Sequence, residues 1–63
     1  MVENKVNERR KELGMTLKQL SHESGVPIST IEAVEKGIEP KVVTALKLSK
    51  ALGRRVEDLW NPL

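Results

Sequence analysis

His22 is the sole imidazole of the chain, with hydroxyls near it in sequence at Ser21, Ser24, Ser29 and Thr30. A nucleophile and base need a third group to orient them and a pocket that excludes water. The spacing supplies no such set, and a helical chain of 63 residues has little room for the pocket. His22 therefore reads as an exposed helix histidine, and no catalytic residue is expected. The lack of cysteine rules out disulfides and thiolate sites, and a single histidine rules out a multi-histidine cage, so no metal or cofactor is expected. Gly14, Gly25, Gly37 and Gly53 match no phosphate-cradling loop and fall instead where helices should end. The remaining chemistry is hydrogen bonding and charge: Ser29, Thr30, Glu32, Ala33 and Lys36 form one outward face on a short segment.

The elements that must position this face lie between Thr16 and Gly37. Thr16 can cap a helix over 17–24, with Gln19 placed to complete a capping box. Leu17 and Leu20 give that helix an apolar edge, and Gly25 can take the left-handed conformation that ends it. Pro27 suits the start of a second helix over 28–36, because its fixed φ is helical and it has no amide proton to leave unsatisfied. Ile28, Ile31 and Val34 recur along that helix, and Gly37 stops it. Helices this short need tertiary packing, since nucleation is costly and each has little face to bury. So brief a connection makes the two helices cross steeply.

The flanking chain supplies the packing. A first helix is predicted over residues 2–13, with Val2, Val6 and Leu13 on one face and Glu8–Lys11 as a supporting pair. Ile38 to Lys41 is a loop in which Pro40 disfavours helix at Glu39. A fourth helix over 42–52 should bury Ala45, Leu48, Ser49 and Leu52, flanked by Val42, Leu46 and Ala51. A last short helix, 56–60, presents Val56, Leu59 and Trp60. Arg54-Arg55 lacks a usual N-cap, but Glu57 and Asp58 suit the helix dipole. Trp60 fits either the core beside Leu59 or a dimer surface. The expectation is an all-α, compact five-helix domain spanning residues 1–63.

Composition sets the remaining bounds. Eleven Lys and Arg against nine Asp and Glu leave a formal charge of +2, and the pI is near 9.2. That balance permits a nucleic-acid partner without demanding one. Arg9, Arg10 and Lys11 form the densest basic run, which composition alone assigns to a solvated helix face. Trp60 is the lone aromatic residue, so base-stacking platforms are absent. No apolar run approaches the ~20 residues of a membrane span, and the polar N-terminus is no signal peptide. A cytoplasmic location is expected.

Leu13-Gly14-Met15-Thr16, Leu20, Gly25-Val26, Ile31-Glu32, Val34 to Gly37, Ala45 to Gly53 and the final Val56 to Trp60 stand in a characteristic order. The chain resembles the Cro/repressor-type helix-turn-helix family, over roughly residues 5 to 61. The resemblance implies a repressor-like fold and a transcriptional regulator that binds double-stranded DNA. Its second motif helix would lie in the major groove and its first across the backbone. Pro27, Ile28, Ser29 and Ala33 would face bases, with Thr30 in use beside them, and Thr16, Leu17, Lys36 and Lys41 would lie near phosphates. Arg10 is carried over with this set and with Glu35 as a structural ion pair between the first and third helices. The resemblance further implies palindromic half-sites and a homodimer formed through the C-terminal helix.

Sharp base readout uses forked side chains: arginine for guanine, asparagine or glutamine for adenine. Pro27, Ile28, Ser29 and Ala33 supply none, and Glu32 and Glu39 add negative charge beside the face, so weak sequence discrimination is expected. Two other readings stay open. One is a repressor fold rebuilt for stability without retained DNA specificity, suggested by an evenly mixed Lys and Glu surface with no Phe or Tyr. The other is an antitoxin-like protein-interaction module, for which a partner-binding tail is the discriminating feature, and none is expected in a sequence ending at Leu63.

Overall fold

The computed structural model describes residues 4–60. Five helices follow one another: α1 Val6–Glu12, α2 Leu17–Ser24, α3 Ile28–Glu35, α4 Val42–Leu52 and α5 Val56–Leu59. Among the described residues there is no strand. α4 is the longest helix and packs against α1, α2 and α5, while α3 packs against α1 and α2.

Periodicity explains what is buried. Ala45, Leu48, Ser49 and Leu52 fall on one side of α4 at helical spacing, and all four are buried as expected. Leu48 and Leu52 meet Val6 from α1, Leu20 from α2, Ile31 and Val34 from α3 and Leu59 from α5 in one core. Val26, at the α2–α3 corner, joins that core although its isolated position between Gly25 and Pro27 carries no periodic signal. Val42 and Leu46 were expected to flank the stripe; they are 75% and 54% exposed. They border an open groove together with Val56 and Trp60.

The first helix is shorter than the predicted 2–13, and residues 2 and 3, Val2 included, fall outside the described residues. Asn4 sets its start. Its Oδ1 accepts from the Val6 amide at 3.0 Å, while its Nδ2 donates to the Val34 carbonyl at 2.8 Å. A short amide side chain that bonds nearby backbone favours a cap over continued helix. Leu13 follows the last turn and is 43% exposed, so it does not share the buried face of Val6. Glu8 and Lys11 do not pair; Arg9 Nη1 and Glu12 Oε1 meet instead, at 3.3 Å.

The basic run is not simply a solvated face. Arg9 Nε donates to the Leu52 carbonyl at 2.9 Å and so satisfies a C-terminal acceptor of α4. Gly53 closes that helix at φ +65°, and the Arg54 amide donates back to the Ser49 carbonyl. α5 begins with half a capping box: Asp58 Oδ2 accepts from the Arg55 amide at 3.3 Å. The Lys5 amide donates to the Leu59 carbonyl at 2.8 Å, tying the start of α1 to the end of α5.

Candidate nucleic-acid interface

The α2–α3 pair is built largely from local chemistry. Thr16 Oγ1 accepts from the Gln19 amide at 3.1 Å, and Gln19 Oε1 accepts from the Thr16 amide at 2.8 Å. This reciprocal box satisfies two amides at the start of α2. Gly25, at φ +75°, ends the helix with its amide donating to the Ser21 carbonyl. Ser24 Oγ donates to the Leu20 carbonyl and accepts from the Val26 amide, which turns the chain so that Val26 drops into the core. Pro27 then starts α3 from an extended ψ of 145°, and its carbonyl accepts from the amides of Thr30 and Ile31. The first helical amides, those of Ile28 and Ser29, have no partner among the described residues, as expected at a helix N-terminus.

A side-chain lock holds α3 from behind. Arg10 Nε meets Glu35 Oε2 at 2.8 Å, and Arg10 Nη2 meets Glu35 Oε1 at 3.2 Å. Asn7 Nδ2 also donates to Glu35 Oε1, at 2.8 Å, and Arg10 Nη1 donates to the Met15 carbonyl. The two charged side chains retain only 12% and 11% of their exposure. The Glu35 hydrogen bonds hold the Arg10 guanidinium above the usual arginine range, against a smaller opposing effect of burial. The expected Arg10–Glu35 pair is therefore formed, and it spends the guanidinium donors inside the fold. The sequence does not mark Asn7 or the Met15 carbonyl as partners of this lock. Their partners lie 28 and 5 residues away, and no local pattern marks them.

The other singled-out residues sort by exposure. Thr16, Pro27, Ile28, Ser29, Lys36 and Lys41 are exposed. Leu17 is half-buried against the core, while Thr30 and Ala33 are half-buried rather than fully outward. Ile31 and Val34 are buried to 0% and 1%, so α3 divides cleanly into an inner and an outer side. Glu32 and Glu39 are also exposed. His22 is exposed and has no hydrogen-bond partner among the described residues. Among those residues no three His, Asp or Glu side chains gather in a way that could hold a metal ion.

A family model described as helix-turn-helix matches residues 6–59, which takes in all five helices and the Arg10–Glu35 lock. The chain belongs to the Cro/repressor-type helix-turn-helix family. It is 42% identical over 57 residues to an uncharacterized HTH-type transcriptional regulator from Methanothermobacter thermautotrophicus, covering 87% of this chain and 83% of that protein. It is 37% identical over 60 residues to the uncharacterized HTH-type transcriptional regulator YgzD of Bacillus subtilis, covering 94% and 91%. No solved structure matches the chain. As a helix-turn-helix protein of this family the chain is a DNA-binding regulator and not an enzyme. No helix among the described residues is long and apolar enough to cross a membrane.

Proposed function

We propose that the chain is a repressor-like transcriptional regulator, acting as one domain in the cytoplasm, that places α3 in the DNA major groove. The observation that carries this reading is the division of α3. Its inner side is fixed by Ile31, Val34 and the Glu35 lock, and its start presents Pro27, Ile28 and Ser29 with two unpaired amides. An α-helix with its side chains is about 10–12 Å across, which matches a groove about 12 Å wide. Pro27, Ile28, Ser29 and Ala33 are assigned to base edges, with Thr30 at the margin of the contact. Thr16, Leu17, Lys36 and Lys41 are assigned to the backbone, where helix-start amides and lysines suit phosphate oxygens. Arg10, held by Glu35 and Met15, acts by positioning α3 and not by touching DNA.

A homodimer on palindromic half-sites completes the reading. Val42 and Leu46 border a groove of about 400 Å³ that they share with Val56 and Trp60 from the α5 end. Trp60 packs against the core and also lines this groove, and its Nε1 is buried with no partner among the described residues. The exposed apolar strip of Val42 and Leu46 supports self-association through the C-terminal helix.

Selection from a random duplex pool at moderate salt, with sedimentation of the same preparation, tests both parts. An enriched palindrome and concentration-dependent dimerisation are expected. High thermal stability with no duplex binding at any salt would favour a scaffold that has lost the activity. Duplex binding by a strict monomer would remove the dimer alone.

A further inference from the structure

The outer side of α3 carries no arginine, asparagine or glutamine. The forked contacts that usually specify guanine or adenine are therefore unavailable, and a different kind of polar group has to supply discrimination. We propose that Glu32 is the specificity-determining residue of α3, an acceptor that selects cytosine by its exocyclic amino group, next to a thymine methyl packed on Ile28. The inference rests on the reading that α3 lies in the major groove.

α3 carries two carboxylates with opposite fates. Both oxygens of Glu35 are consumed by Arg10 and Asn7. Glu32 is exposed, and its carboxylate has neither a hydrogen bond nor an ion pair among the described residues. It lies one turn after Ile28, which is 39% exposed, and three residues after Ser29, so the three share the outer side opposite Ile31 and Val34. Lys36 follows one further turn along the same stripe, exposed and unpaired. A lysine at that point offsets the repulsion between Glu32 and the phosphate backbone.

An ionised carboxylate can only accept hydrogen bonds. In the major groove, guanine offers N7 and O6 acceptors and thymine offers O4, so both confront Glu32 with lone pairs. Adenine has a donor at N6 but sets its N7 acceptor beside it. Cytosine presents the N4 amino group without a neighbouring acceptor of its own. Glu32 thus works largely by rejection: the wrong base leaves a desolvated charge unpaired, and that costs more than the correct contact gains. Ile28 can add a methyl contact but cannot reject bases this way. The same negative charge lowers affinity for every duplex, which separates its role from that of a residue that merely supports the helix.

The test is selection from a random duplex pool with the full chain as wild type, Glu32→Ala and Glu32→Gln, with thermal unfolding as a control on folding. The wild type should enrich cytosine at one position of each half-site by roughly five- to tenfold over other bases. Glu32→Ala should lose that preference at that position alone and bind non-specific duplex at least as tightly as the wild type. Glu32→Gln should shift the position toward adenine, because an amide can donate to N7 while accepting from N6. Identical motifs from wild type and Glu32→Ala would overturn the assignment while leaving groove binding intact. Duplex binding with no motif at all would do the same. A wild type that binds no duplex at any salt would overturn both the assignment and the DNA reading beneath it.

Discussion

The Arg10 guanidinium holds the Glu35 carboxylate along two edges, at 2.8 and 3.2 Å, joining α1 to the end of α3 across 25 residues of sequence. A largely buried ion pair gives little net stability, because desolvation cancels most of the attraction, but losing one partner strands the other. Arg10→Ala and Glu35→Ala should each cost about 3 kcal/mol, and the double variant should cost clearly less than their sum. Urea unfolding of the four proteins gives the coupling; additive losses would show that the pair acts as two independent surface charges.

The pH dependence follows from the direction of the Arg10 shift. Its proton is held more tightly in the folded than in the unfolded chain, so its stabilisation is complete below the unfolded value and is lost only as pH rises through the folded one. That window lies above the ordinary arginine range. The stability gap between wild type and Arg10→Met should therefore be level from about pH 7 to about pH 10. A gap that closes steadily across that interval, followed by thermal unfolding, would mean that another group controls the lock.

Thr16 and Gln19 exchange two hydrogen bonds at an exposed helix start. Thr16→Ala should destabilise by about 1 kcal/mol, and Thr16→Ser should restore most of it, since a hydroxyl is all the cap requires. Chemical denaturation of both variants checks this, and equal losses for Ala and Ser would point to the Thr16 methyl instead.

A Cβ added at Gly25 would meet nothing within 4 Å, so only the φ of +75° opposes a side chain there. Gly25→Ala should cost about 1–2 kcal/mol, and Gly25→Asn less, because asparagine tolerates the left-handed region. Unfolding midpoints in that order are expected; no loss with alanine would show that the corner can rearrange.

Lys36 and Lys41 are exposed and outside every ion pair among the described residues. If they meet phosphates, Lys36→Ala and Lys41→Ala should each weaken duplex binding equally on all sequences. Each should also reduce the slope of log affinity against log salt by about 1. Titrations at several salt concentrations read this directly. A loss confined to one sequence would place the lysine at a base edge.

The helices and the corner between α2 and α3 were legible in the sequence because their determinants are local. The Thr16–Gln19 box, Gly25, Pro27 and Gly53 each act within a few residues, and the Ala45–Leu48–Ser49–Leu52 stripe needs only helical spacing. The family order of motifs added Arg10–Glu35, which spacing alone does not reveal.

Tertiary structure decided what adjacent, chemically similar residues do. Arg9 and Arg10 are neighbours of one type, yet Arg9 caps α4 at Leu52 while Arg10 locks α3 at Glu35. Asn4 stops α1 short by bonding both Val6 and Val34, and Val26 enters the core from a corner with no periodicity. Glu32 and Glu35 sit three residues apart, one exposed and unpaired, the other consumed. A helix's own pattern records which side is apolar. Which polar group is desolvated and paired depends on the helix that packs opposite it, and that is set only when the whole chain closes around its core.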